Sequence, residues 1–201
     1  MSLRLGRCPV PRILILFGTT DGHTAKIAAA LAETLQMEGA SVEVADAGAR
    51  VPPPDADGYA AVIVAASVHA SGYQASVRRW VKANLRALGD RPSAFVSVCL
   101  GVVQHDPAVD RELLAILQRF YRQTGWKPAV VKVVAGALLY TRYGWLKRWV
   151  MRRIAGKAHG DTNTTRDYEY TDWVDLRGFA RDFIRRVKMP DVRFGTTRKT
   201  A

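Results

Sequence analysis

The 201-residue chain has only two cysteines, Cys8 and Cys99, too few for a disulfide framework and at no metal-ligand spacing. A reducing cytoplasm is the simplest setting for that usage. Its four histidines, at 23, 69, 105 and 159, are scattered, which argues against a zinc or iron centre, and no metal is expected. No apolar run approaches the ~20 residues of a membrane-spanning helix. Met1 to Arg12 likewise lack the apolar centre of a secretion signal. No nucleophile stands beside a base in a recognisable arrangement, so any chemistry is expected to reside in a bound cofactor. Acidic residues are scarce, 18 against 30 Lys and Arg, leaving a formal net charge of +12. That excess suits anionic partners: nucleic acid, an anionic lipid surface or an acidic substrate. No nucleic-acid motif supports the first, which is set aside.

What is present is a soluble-type composition, 48% hydrophobic, with enough length for one full core. The most organised stretch is 12–33. Ile13 to Phe17 reads as a strand buried on both faces. Gly18 to Thr24 (GTTDGHT) is small and polar, and an Ala-rich helical pattern follows with Ile27, Leu31 and Leu35 on one face. A strand, a hydroxyl-and-glycine loop and a helix N-terminus make an anion cradle of unpaired N–H groups and helix dipole. Thr19, Thr20 and Thr24 add hydroxyl donors, with Gly22 and His23 in the same loop. The loop lacks the Lys-Ser/Thr of a Walker sequence and the three glycines of a dinucleotide fingerprint. Neutral donors for a phosphate dianion suit flavin mononucleotide (FMN). Asp21 would repel that anion if it pointed inward, so Asp21-Gly22 is assigned to the turn. An ordinary strand-to-helix connection capped by Thr is the alternative.

Further strands are expected at Ser41 to Asp46, Tyr59 to Ala66, Ser93 to Leu100 and Ala129 to Ala135. One helix is expected from Gln74 to Leu88, with Val77, Trp80, Val81, Ala83, Leu85 and Leu88 inward and Gly89 as its stop. Another runs from Ala108 to Thr124, with Leu113, Leu114, Leu117 and Phe120 at helical spacing. The last runs from Asp172 to Val187. Alternation of strands and helices predicts an α/β fold, a doubly wound five-stranded parallel sheet in the order 2-1-3-4-5. This domain spans 12–187, between an N-terminal extension, 1–11, and a basic tail, 188–201. That order sets the loops after strands three and four beside the phosphate loop. Ser67, Val68 and His69, with Ser97, Val98, Cys99, Leu100 and Gly101, are therefore expected to flank a flat ring. Tyr73 or His69 is a candidate to stack on it, a plain surface loop residue being the equal alternative.

Residues 136–171 form an insertion between strand five and the last helix. Within it, Tyr140 to Lys157 holds six Lys or Arg, four aromatics and no acid. On a helix, Leu146, Trp149, Val150 and Ile154 share a face while Lys147, Arg148 and Arg152 lie off it. That pattern fits a helix lying in a membrane interface, or a basic helix packed on the sheet edge with its cations in water.

The loop GTTDGHT resembles a flavodoxin phosphate loop, and more closely the Ser-Thr-x-Asp-Gly-x-Thr form of the flavodoxin-like, quinone-dependent protoporphyrinogen oxidases. The likeness continues through VIVAAS at 62–67, PSAFVSV at 92–98, GALLYTRYGW at 136–145 and YTDW at 170–173. The last two segments are absent from ordinary flavodoxins. Gly18 departs from the pattern, which has Ser there, and so does His69-Ala70, where Arg-Tyr is frequent. The resemblance implies an FMN enzyme that oxidises protoporphyrinogen IX and passes electrons to a membrane quinone, peripheral on the inner face of the cytoplasmic membrane. It also suggests Arg142, Lys147 and Arg148 as partners of the porphyrinogen propionates. A flavodoxin-type electron carrier is disfavoured by the basic charge and the insertion. A general flavin-dependent quinone reductase is the other enzyme alternative, and a cofactor-less membrane- or nucleic-acid-binding domain the non-enzymatic one. Oligomeric state is left open, a homo-oligomer included.

Overall fold

In a computed structural model of the protein, residues 9–69, 71–100, 106–138 and 167–189 are described. Five strands, β1 (Arg12–Gly18), β2 (Ser41–Asp46), β3 (Ala61–Ser67), β4 (Ser93–Cys99) and β5 (Val130–Ala135), form one sheet. All its neighbours pair in parallel, in the order β2-β1-β3-β4-β5, as the sequence predicts. Among the described residues, the α-helices are α1 (His23–Met37), α2 (Ala75–Ala83), α3 (Leu85–Gly89), α4 (Pro107–Thr124) and α5 (Trp173–Lys188). A second, two-stranded antiparallel ribbon joins β6 (Ala137–Leu138) to β7 (Tyr168–Glu169).

Strand alternation divides the core in two. Ile13 and Ile15 of β1, with Ile63, Ala65, Val96 and Val98, meet α1 and α5 on one face. Leu14 and Leu16, with Val62, Val64 and Phe95, meet α2, α3 and α4 on the other. Because both faces are covered, β1 and β3 read as continuous apolar runs and carry no polar alternation. On the second face Phe95 stacks on Phe120 at 4.8 Å and 13°, with Tyr73 set edge-on to both rings. β2 is an edge strand with none of its residues buried.

Two local expectations and one alternative reading are corrected. The helix predicted over Gln74 to Leu88 is two, broken at Asn84. That side chain is 5% exposed, accepts a hydrogen bond from the Ala56 N–H at 2.7 Å and donates to the Trp80 carbonyl at 3.0 Å. Ala83 and Leu85, expected inward, face solvent, while Asn84 and Ala87 take the inner positions. Leu114 of α4 is also exposed, with Ile116 buried in its place. Finally, no threonine caps α1; its N-cap is Gly22 in the left-handed region, φ 88°.

Candidate functional site: the carboxyl-edge cleft

The sheet order brings the ends of β1, β3 and β4 together, and a cleft opens there. Thr19, Thr20, Asp21, His23 and Thr24 from the first loop, Ser67, Val68 and His69 after β3, and Val98 and Leu100 after β4 all line it. Gly136 and Ala137, which sequence reasoning left out, complete the wall from the end of β5. The only sequence signal for them is that they begin the GALLYTRYGW segment.

The first loop is shaped by its own turn chemistry. Thr19 Oγ1 accepts a hydrogen bond from the Gly22 N–H at 2.9 Å. Gly22 then adopts the positive φ that a side chain would resist, and α1 starts directly behind it. Gly22 therefore builds the turn and does not line the cleft. Thr24 is 1% exposed, and its Oγ1 has no hydrogen-bond partner. A buried hydroxyl left unpaired costs free energy unless a ligand or water completes it. Together with the uncapped N–H groups of the first helical turn, it fits an anionic oxygen.

Gln74, which sequence reasoning missed, anchors this loop from the opposite side. Its Nε2 donates to Ser67 Oγ at 2.9 Å and Thr20 Oγ1 at 3.2 Å, tying the first loop to the end of β3. A polar residue immediately before a helix was too common a pattern to single out. Gly18 lies against this contact. A Cβ there would fall 2.4 Å from Val77 Cγ2 and 3.1 Å from Gln74 Oε1. The side-chain direction at position 18 thus runs into α2 and away from the cradle, so this departure from the resembled pattern follows from packing.

The remaining predicted residues separate by strand parity. Val98 reaches the cleft, whereas Ser97 and Cys99 point to the α2/α4 face and do not line it. Ser97 is fully buried, with its Oγ 2.7 Å from Tyr73 Oη. Tyr73 is accordingly a core residue, 4% exposed, and not a ring-stacking one; burial pushes its phenol well above the ordinary value. His69 remains exposed, in a tight turn where its backbone N–H and carbonyl both pair with Gly72 and Ser71 has φ 60°. Gly101, Arg142, Lys147 and Arg148 lie outside the described residues, as do most of the insertion, the first eight residues and most of the basic tail. No group of metal-ligating side chains occurs among the described residues.

His23 is 5% exposed at the first position of α1. Its Nε2 lies 2.7 Å from Thr171 Oγ1, and its Nδ1 lies 3.8 Å from Glu169 Oε2. Burial lowers the imidazole pKa, the charge of Glu169 opposes that, and Lys26 reinforces it. Glu169 itself is held below the usual carboxylate value. Its burial works the other way but is outweighed by hydrogen bonds from Lys26 and Trp173 and by the charges of Lys26 and His23. Lys26, the cation nearest the loop, is thereby committed to Glu169 at 3.2 Å.

A parallel sheet of order 2-1-3-4-5, with its cleft at the carboxyl edge, defines a flavodoxin-type fold. Comparison with known proteins agrees. The flavodoxin domain model matches residues 14–165. Protoporphyrinogen IX dehydrogenase [quinone] of Escherichia coli K12 is 32% identical over 182 residues, 90% of this chain and 99% of that protein. Its namesake in Leishmania major is 34% identical over 177 residues, covering 86% and 74%. Among solved structures, oxidised flavodoxin 1 of Bacillus cereus aligns at TM-score 0.50 and 13% identity, over 87% of this chain and 97% of that one. The Flv1 flavodiiron core of Synechocystis aligns at 0.51 and 12% identity over 90% of this chain, which spans 37% of that one. The chain belongs to the flavodoxin-domain family and, within it, to the oxidoreductase family of the quinone-linked protoporphyrinogen IX dehydrogenases. A flavodoxin domain implies a flavin cofactor, and the hydroxyl-lined cradle with its unpaired Thr24 fits the phosphate of one.

Proposed function

We propose that this chain holds FMN in the carboxyl-edge cleft, oxidises protoporphyrinogen IX to protoporphyrin IX, and passes the electrons to a membrane quinone in haem biosynthesis. The observation that carries the reading is the buried, unpartnered Thr24 hydroxyl beside Thr19 and Thr20, at the N-terminus of α1. These neutral donors and the first-turn N–H groups would hold the FMN phosphate. The names of the relatives support the substrate and the acceptor. Bound there, the flavin supplies two-electron oxidation, so a six-electron porphyrinogen oxidation takes three rounds. The protein's part is positioning. Backbone groups of 67–69 and 98–100 would face the ring's polar edge, and Gln74 ties the loop after β3 to the first loop through Ser67 and Thr20. Arg142, Lys147 and Arg148 would pair with the substrate propionates. The wider basic segment would hold the enzyme on the anionic inner face of the cytoplasmic membrane.

The test is an anaerobic assay of the FMN-loaded protein with protoporphyrinogen IX and a menaquinone or ubiquinone analogue. Porphyrin fluorescence should rise with quinone consumption, and only with both present. FMN-loaded protein that reduces quinone from other donors but leaves the porphyrinogen untouched would make it a general quinone reductase. Failure to take up FMN at all would point to a cofactor-less binding domain.

A further inference from the structure

Between the phosphate cradle and the segment that returns into α5 runs a chain of hydrogen bonds with a defined direction. Thr171 is 8% exposed, and its hydroxyl donates to the Ala135 carbonyl, at the end of β5, over 2.7 Å. A hydroxyl has one proton to give, so toward His23, 2.7 Å away, Thr171 Oγ1 can only accept. His23 Nε2 therefore carries the hydrogen, and in the neutral ring Nδ1 is bare. That Nδ1 is buried without a hydrogen-bond partner, 3.8 Å from the Glu169 carboxylate. Among the described residues, the groups packed around the ring come from three elements. β7 presents Glu169, α1 presents Lys26, and α5 presents the Trp173 indole edge-on at 6.1 Å. The backbone of the return segment is docked as well, with the Tyr170 N–H on the Gly136 carbonyl and β7 paired to β6.

Two consequences follow from this geometry. The first turn of α1 is held in place by a residue almost 150 positions away (|i−j| is 148), so the cradle is complete only when 167–171 is docked. A proton added at Nδ1 would meet a carboxylate already poised for it, and the resulting imidazolium would stand in the wall of an anion site. We propose that Thr171 and His23 are a positioning pair for the flavin phosphate, and that filling the cradle with a phosphate monoester draws a proton onto His23 Nδ1. The proposal rests on the FMN reading above. In the free protein the buried ring resists that proton; a dianion in the cradle supplies the charge that pays for it. By linkage, a site that takes up a proton on binding binds more tightly as pH falls.

The experiment is titration of the full chain with FMN, followed by quenching of flavin fluorescence between pH 6 and 8, with riboflavin as the phosphate-free probe. In the wild type, FMN affinity should rise about three- to tenfold more from pH 8 to 6 than in His23→Gln. Gln retains an amide donor for Thr171 but does not titrate, so titration of the phosphate itself cancels in this comparison. Riboflavin should show no such difference. Thr171→Val should weaken FMN at least about fivefold and riboflavin less than twofold, with Thr171→Ser restoring binding. Identical pH profiles for wild type and His23→Gln would overturn the proton uptake, and undiminished FMN affinity in folded Thr171→Val would overturn the positioning role. Should Thr171→Val not fold, undiminished FMN affinity in His23→Phe, which removes the donor to Thr171, would overturn the positioning role instead. A wild type that quenches no FMN at any pH overturns the FMN reading first, and this inference with it.

Discussion

At the scale of single residues, the cleft depends on a few positions where one atom more or less changes the outcome. Gly18 is the sharpest. Its missing Cβ leaves room for Val77 of α2, which would otherwise lie 2.4 Å away, well inside contact distance. Gly18→Ala should therefore cost about 1–3 kcal/mol, read as a lower urea midpoint with unchanged slope. Trimming the neighbour as well, in Gly18→Ala/Val77→Ala, should cost less than the sum of the two single changes, because the sites touch. Additive losses would mean that no clash occurs. Thr24 belongs to the same scale: lining the cleft, it keeps a buried hydroxyl unpartnered, an arrangement that favours a bound ligand over a self-contained core.

Elements meet the site through their ends, and those ends are set by caps. Asp106 accepts from the Ala108 N–H at 2.8 Å, and Asp172 from the Val174 and Asp175 N–H groups at 3.0 and 2.9 Å, so α4 and α5 start where conventional capping residues stand. α1 differs in having a glycine at that position, which leaves its first N–H groups uncapped by side chains beside the cleft-lining His23 and Thr24. The α2–α3 break is the other element-scale feature. Asn84 holds it by satisfying the Ala56 N–H. Asn84→Ala should leave that group orphaned at a cost of about 1–3 kcal/mol, while the better helix former tends to join the two helices. Circular dichroism should then show helicity kept or raised as the thermal midpoint falls. Unchanged stability would mean that the break is held elsewhere.

For the whole molecule, the question is where a protein with a net charge of +12 sits. No helix among the described residues is long and apolar enough to cross a membrane. The dense basic-aromatic segment, 140–157, is proposed as the membrane-facing and propionate-facing surface. At about 1 kcal/mol per cation near an anionic surface, reversing Arg142, Lys147 and Arg148 to Glu should abolish co-sedimentation with phosphatidylglycerol vesicles at low salt. Porphyrinogen oxidation should fall with it, while FMN affinity should be unchanged. Oxidation at the wild-type rate in the triple variant would rule out the assignment. Binding that persists equally on neutral vesicles would assign the attraction to the aromatic residues instead.

Much of this protein was legible in the chain itself. Strands buried on both faces leave continuous apolar runs, and helices between them force parallel pairing, so the five-strand order and the phosphate loop follow from local pattern. The segments 136–145 and 170–173 carried the family by their residues alone. What pattern could not convey was direction and distance. Strand parity took Ser97 and Cys99 out of the cleft, burial turned Tyr73 from a ring-stacking candidate into a core residue, and Asn84 divided a helix through a bond to Ala56. Only the tertiary structure set Thr171 against His23, because a hydrogen bond spanning most of the chain has no signature in residue spacing. The stretch 12–33 thus determined the strand, hydroxyl-rich loop and helix start that line one side of the cleft. The return of a distant segment decided what packs against its first helical turn, because that contact depends on how the chain closes in space.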